Sequence, residues 1–419
     1  MPRSAYLDLD VLFGRSADGY RAQVVRSPAG DGQLATFGRP LTERELAGFV
    51  LGAGSFRGEA KQAGIAPVAV AKQYGARLFD AVFAGQVGEC LRRSVDRAED
   101  AGAVLRIRLR LSDVPELAGL PWELLYDSGN DWFVALSGST PVIRYVHLPA
   151  RPRAVRVALP LRILVIRSGP AGYPPLDMAA EWAKAAGALA GLADAGQVAV
   201  TELAAPTLSE LRRALAQDTF HVLHYMGHGR FDRLRGGVLL FTGQDGRAVP
   251  VTGGDLGVML ADHASLRLAV LNACEAGRTD PEDPFAGVAE TLVRRGIPAV
   301  VAMQFEVSDE AAVELAPALY GALAAGLPVD AAVTEARKAM YTVSPLEWAT
   351  PVLYLQAGDA RLFDIDQDAR PVAQTHPGGD IAAGPSPAHG GVGTNGVVVT
   401  GGNTGIISTG SDATIWQIR

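Results

Sequence analysis

Cys274 and His228 are the two side chains of this sequence whose types and settings fit nucleophilic catalysis. A thiol becomes a strong nucleophile when a base takes its proton, and imidazole is the side chain suited to that exchange near neutral pH. Cys274 lies just past the apolar run Leu268-Ala269-Val270-Leu271, and His228 just past Phe220-His221-Val222-Leu223-His224-Tyr225. Short apolar runs of this kind predict buried strands. The two residues are 46 positions apart, which leaves room for one crossover, so the spacing predicts parallel strands presenting both at one edge of a sheet. Gly229, directly after the histidine, lets its own amide approach a substrate closely.

The surrounding motifs are Gly227-His228-Gly229, Leu271-Asn272-Ala273-Cys274-Glu275-Ala276-Gly277, Leu120-Pro121-Trp122-Glu123-Leu124-Leu125-Tyr126-Asp127 and Val301-Ala302-Met303-Gln304-Phe305. Together they resemble the CHAT family, caspase-like cysteine peptidases of bacteria and relatives of separase, over residues 5 to about 365. The histidine-to-cysteine spacing is close to the roughly 50 residues typical of caspases, whose cysteine motif has Gln and Arg, Gln or Gly where this chain has Asn272 and Glu275. The resemblance implies a Cys274–His228 dyad in which the amides of Gly229 and Cys274 form the oxyanion hole. His228 would then protonate the leaving amine and activate the hydrolytic water. Caspase-like enzymes that cut after Lys or Arg often carry an aspartate two residues before the cysteine. Asn272 stands there instead, which puts a basic preference in question, with Asp262 as an alternative acid. Gln304 and Phe305, at the end of an expected neighbouring strand, are candidates for the substrate-pocket wall.

These residues need a scaffold, and residues 155–366 alternate strand and helix patterns as an α/β domain with a largely parallel sheet does. The expected fold is a caspase-like, largely parallel sheet flanked by helices, and a last strand at Pro351–Leu355 is expected to close it. Residues 1–154 resemble a degenerate caspase-like half without a paired nucleophile and base. In that half Phe79, Phe83, Val87 and Leu91 recur at helical spacing, and Cys90 beside them reads as a small core residue. Leu105, Ile107, Leu109 and Leu111 alternate with Arg106, Arg108 and Arg110, which predicts a strand with one buried and one solvated face.

A metal site is not expected. His221, His224 and His228 would share a helix face, but Phe220, Val222, Leu223 and Tyr225 favour a strand, where His221 and His224 point to opposite sides. No cofactor is expected either: neither G-x-x-x-x-G-K-[ST] nor a G-x-G-x-x-G after a strand occurs. A formal net charge of −7 argues against nucleic-acid binding through phosphate contacts. Two cysteines make no disulfide framework, and no signal-peptide core or membrane-length apolar run is present, so a cytoplasmic location is expected.

Residues 275–284 form an acidic stretch beside the nucleophile with few apolar anchors, which predicts a latent enzyme whose cleft a partner orders. Residues 367–390 contain four prolines and read as a linker. Residues 391–419 form a Gly-rich, β-prone tail with Val397–Thr400 and Ile406–Thr409 as β-branched runs. Low-charge segments of that kind pair with a sheet edge or with copies of themselves, so the tail is a candidate docking element for an activating sensor or adaptor. The functional expectation is an endopeptidase that cleaves a partner protein in a bacterial signalling or defence module. The alternative is a catalytically silent scaffold that signals by protein binding.

Overall fold

The computed structural model describes residues 5–46, 67–149, 152–173, 178–232, 234–274, 284–305, 307–356, 358 and 360–366. The described residues all belong to one compact unit. The acidic stretch 275–283, the linker 367–390 and the tail 391–419 lie outside the described residues.

The chain opens with β1 (Ala5–Ser16), β2 (Gly19–Arg26) and β3 (Leu34–Phe37), followed by α1 (Pro67–Val82), α2 (Gly85–Asp100) and β4 (Ala103–Arg110). A short helix α3 (Pro115–Ala118) and the small pair β5 (Tyr126–Asp127) and β6 (Trp132–Phe133) lead to β7 (Val142–Val146). Next come β8 (Val155–Ala158), β9 (Leu161–Ser168), α4 (Met178–Asp194), β10 (Val198–Glu202), α5 (Leu208–Gln217) and β11 (Val222–Asp232). The hairpin β12 (Gly236–Thr242) and β13 (Ala248–Thr252) precedes α6 (Gly253–Leu260), β14 (Leu268–Cys274), α7 (Pro284–Arg294) and β15 (Ala299–Met303). Finally α8 (Asp309–Ala324), α9 (Val329–Val343), β16 (Pro351–Gln356) and β17 (Phe363–Asp366) follow, β17 pairing with β8.

A single sheet runs in the order β10-β9-β11-β14-β15-β16-β7-β4-β1-β2-β3. From β10 to β15 every pairing is parallel. The β15–β16 pairing is antiparallel, and β16, β7, β4 and β1 are again parallel to one another. The sheet is thus mixed and largely parallel, with helices on both faces. Alternation along the strands feeds two apolar layers: Leu268 and Val270 of β14 face one, Ala269 and Leu271 the other. Leu211 of α5, Leu256 of α6 and Leu292 of α7 fill the second layer, while Leu315 of α8 and Ala336 of α9 fill the first. Helix starts carry the expected caps: the Ser308 side chain accepts from the Ala311 amide at α8, and Thr252 with Asp255 makes a capping box at α6.

Three local expectations need correction. The arginine face of β4 is buried at Arg106 and Arg108, because β1 runs parallel to β4 with Asp8 opposite Arg106 and Asp10 opposite Arg108. Arg106 pairs with Asp8 at 2.8 Å, and Arg108 meets Asp10 through two nitrogens, so paired charge replaces water there. The helical stripe of Phe79, Phe83, Val87 and Leu91 is buried throughout but crosses two helices. It breaks before Gly85, whose φ of +52° is left-handed backbone suited to glycine. Strand β16 does not close the sheet; it lies in its middle, joining β15 to β7. Cys90, as expected, is a buried core residue, its sulfur 3.2 Å from Ser27 Oγ.

Candidate active site

Strand β11 lies between β9 and β14 and is parallel to both. Val222 to Gly227 match Ile163 to Ser168 on one side, and Val222 to His228 match Leu268 to Cys274 on the other. His228 and Cys274 therefore occupy the same rung, at the carboxyl ends of β9 and β14, where open α/β sheets bind ligands. The sequence expectation that β11 stops near His228 does not hold. The strand continues to Asp232 by exchanging partners: Gly229 is opposite Leu239 of β12, antiparallel, and the parallel ladder ends one residue earlier.

Small and polar groups hold this switch point. A Cβ on Gly227 would stand 2.5 Å from the Ser168 carbonyl oxygen and 2.8 Å from the Tyr225 hydroxyl, so only glycine fits. Tyr225 Oη lies 2.9 Å from the His228 carbonyl and 2.8 Å from that of Leu240, sharing its proton between them. Ser168 Oγ donates to the same Leu240 carbonyl at 2.7 Å. Burial pushes the Tyr225 phenol far up, which keeps it a donor. The backbone of His228 is thus pinned to β12 by a tyrosine three residues earlier, a role that residue type alone does not signal. The His228 side chain is 2% exposed, and its ring packs on Tyr173 at 5.4 Å between centroids, tilted by 35°. Tyr173 belongs to the turn after β9 and also went unmarked in the sequence.

His221 and His224 are structural. His221 Nδ1 accepts from the Arg162 amide at 2.9 Å, and His224 Nδ1 meets Tyr320 Oη at 2.8 Å. Burial lowers both to about 4, assisted at His221 by Arg162, so both are neutral imidazoles. Among the described residues no group of three His, Cys, Asp or Glu is arranged to hold a metal ion.

Asn272 is in register with Met226 and is 9% exposed. Gln304 and Phe305 follow β15 and are both buried. Gln304 Nε2 donates to the Gly119 carbonyl at 2.9 Å, and its Oε1 accepts from Arg144 at 3.3 Å. Arg144 also donates to the carbonyls of Ala118 and Leu120 and pairs with Glu123 at 2.8 Å, with Glu123 fully buried. This explains the Leu120-Pro121-Trp122-Glu123 motif in physical terms: it clamps the N-terminal strands to the end of β15 beside the site. Asp262 is exposed in the turn that leads into the start of β14, the end away from Cys274, so it does not replace the missing acid.

Residues 72–358 match the family model of the CHAT domain. Among solved structures, the Saccharomyces cerevisiae separase–securin complex is similar at 17% identity with a TM-score of 0.35, over 60% of this chain and 15% of that one. The Arg-specific cysteine proteinase gingipain R is similar at 12% identity with a TM-score of 0.40, over 66% of this chain and 68% of that one. A complex of the pro- and mature domains of the Porphyromonas gingivalis proteinase RgpB gives 13% identity and a TM-score of 0.42, over 66% and 70%. The chain thus spans only 15% of the length of the separase chain it is similar to. No curated protein matches the sequence.

Proposed function

The chain belongs to the CHAT family, and from that premise we propose that it is a caspase-like cysteine endopeptidase cleaving a partner protein. The observation that carries this reading is the shared rung of His228 and Cys274 at the carboxyl ends of two parallel strands. In the reaction, the Cys274 thiol loses its proton to His228 and attacks the scissile carbonyl carbon. The amides of Gly229 and Cys274 stabilise the oxyanion, and His228 returns the proton to the departing amine. A water molecule, deprotonated by His228, then hydrolyses the thioester and restores the thiol. Asn272 is the pocket residue we retain. Gln304 and Phe305, being buried, shape the pocket wall through the backbone they anchor.

The protein added to a native lysate of its own host, which supplies the activating partner, and compared there with its Cys274→Ala variant tests this reading. New protein N-termini that appear only with the native chain are expected. Equal sets of N-termini from both would overturn it and favour the scaffold alternative.

The setting is a cytoplasmic signalling or defence module, in which residues 391–419 recruit an activating sensor or adaptor and the 275–284 stretch keeps the free enzyme latent. No helix among the described residues is long and apolar enough to cross a membrane. Truncation after residue 366 should leave cleavage of an unlinked peptide intact while abolishing partner-dependent activation. Activation of the truncated chain as readily as the full one would remove the tail from this scheme.

A further inference from the structure

Beyond His228, strand β11 carries Arg230 and Asp232 on the side of the strand that His228 shares, because alternate residues point the same way. Arg230 stands roughly 6.6 Å of extended chain past the histidine, within one arginine side chain's reach of it. Its hydrogen-bonding capacity is under-used. One Nη atom reaches Tyr173 Oη at 3.4 Å and the other reaches Asp232 Oδ2 at 3.5 Å, both at the outer limit of a useful contact. The Nε atom is buried without a hydrogen-bond partner among the described residues, an arrangement that native proteins rarely leave without a reason. Yet the side chain is 42% exposed, so a ligand can meet the guanidinium.

Asp232 does not satisfy this arginine. Its Oδ1 accepts from the amides of Leu234 and Arg235, at 2.9 and 3.1 Å, and closes the turn into β12. Those amides, Leu234 first, hold its carboxyl below the ordinary carboxylate range, with Arg230 and Arg235 adding to the effect. Tyr173 links Arg230 to the catalytic candidate, since the hydroxyl that touches Arg230 belongs to the ring that packs on His228. On the other strand, the residue two before Cys274 is the neutral Asn272 and not an acid. The side chain that β11 places nearest the dyad is therefore a planar cation, paired with Asp232 only at 3.5 Å through one Nη and so with donors to offer.

We propose that Arg230 is the specificity-determining residue of this site and binds the carboxylate of an aspartate or glutamate next to the cleaved bond. This rests on the peptidase reading given above. A guanidinium fork matches a carboxylate in geometry and charge, and an amide in the same place cannot return two charge-assisted hydrogen bonds. The pairing replaces the long contacts of the exposed Nη atoms and sets the substrate backbone at the level of His228.

The test uses full-length Cys274→Ala protein and fluorescent hexapeptide mixtures in which one position is fixed as Asp, Asn or Lys, with binding read by fluorescence anisotropy. Asp peptides are expected to bind at least tenfold more tightly than Asn peptides, and Lys peptides more weakly still. Arg230→Gln should erase the Asp-over-Asn difference, and Arg230→Lys should keep part of it, with circular dichroism melts showing that both variants fold. Equal binding of Asp and Asn peptides, no binding of either, or a preference for Lys overturns the proposal. Turnover by the native chain is measured in parallel. Retained Asp discrimination by a chain that cleaves nothing even in a native host lysate, where the activating partner is supplied, would support Arg230 as the binding residue while overturning the peptidase reading.

Discussion

His228 and Cys274 are backbone neighbours on one rung of β11 and β14, although 46 residues separate them in the chain. Adjacent strands are about 4.8 Å apart, so the fold itself brings the two residues together. Cys274→Ala should abolish peptide cleavage, and His228→Ala should lower it by about 10²–10⁴, the usual share of a general acid–base group. Thermal melts should show both variants folded. Cys90→Ser should keep near-native rates, since that thiol is fully buried beside Ser27. Normal turnover by Cys274→Ala would refute the dyad.

Gly227→Ala should lower peptide turnover without touching either His228 or Cys274. The added methyl would overlap the Ser168 carbonyl and the Tyr225 hydroxyl, forcing β11 away from β9 at the rung below His228. Overpacking of this kind costs about 1–3 kcal/mol. Urea unfolding and peptide turnover, measured on the same sample, should both fall. A fully active, fully stable alanine variant would show that the switch point tolerates movement.

Glu123→Ala should destabilise the fold by about 3–5 kcal/mol, because it leaves Arg144 buried with its charge uncompensated. Glu123→Ala combined with Arg144→Met should recover part of that loss by removing the stranded charge. A double-mutant cycle by urea unfolding measures the coupling. Strictly additive losses would mean that the carbonyls of Ala118 and Leu120 hold Arg144 without help.

Two buried histidines set an acid limit. His221 and His224 are held at about 4, chiefly by burial, against about 6.5 in an unfolded chain. The unfolded state therefore binds more protons between those values, so stability is complete above pH 6.5 and drains away as the pH falls toward 4. Each contributes on the order of 3 kcal/mol at the acid end. Asp330 acts with the opposite sign. Burial raises it to about 6, and its Oδ2 has no partner among the described residues, so its penalty grows as the pH climbs from 3.8 to 6. Melting temperatures across pH 4–8 should show Asp330→Asn gaining only at the upper end. His224→Leu with Tyr320→Phe should roughly halve the acid branch and leave the share of His221, the second change removing the hydroxyl left without its imidazole.

The adjacent placement of His228 and Cys274 was legible because its signals are local: each residue sits just beyond a short apolar run, and the spacing allowed one crossover. The pairing of Arg106 and Arg108 was not, because Asp8 and Asp10 lie 98 residues away and alternation cannot distinguish water from a partner strand. The extension of β11 was hidden for a related reason. Gly229-Arg230-Phe231-Asp232 looks like the start of a loop until β12 supplies a new partner. Nor does anything in Pro351-Val352-Leu353-Tyr354-Leu355 tell a middle strand from a last one. Which neighbours a strand finds depends on segments far along the chain, and on this point apolar patterning is silent.

The placement of β16 has a consequence for cutting the molecule. Its parallel bond to β7 is the seam between the sheet strands before β8 and those after it, while its antiparallel bond to β15 lies within the later set. A nick in the loop between β7 and β8 would leave every rung of that seam intact, so the pieces would stay assembled through backbone pairing. Expressed separately, each piece would show an unpaired strand edge, β7 in one and β16 in the other, and would aggregate or find its complement. Mixed from the start, the two should rebuild a working molecule from two chains. The seam, and not the covalent loop, is where this protein comes apart.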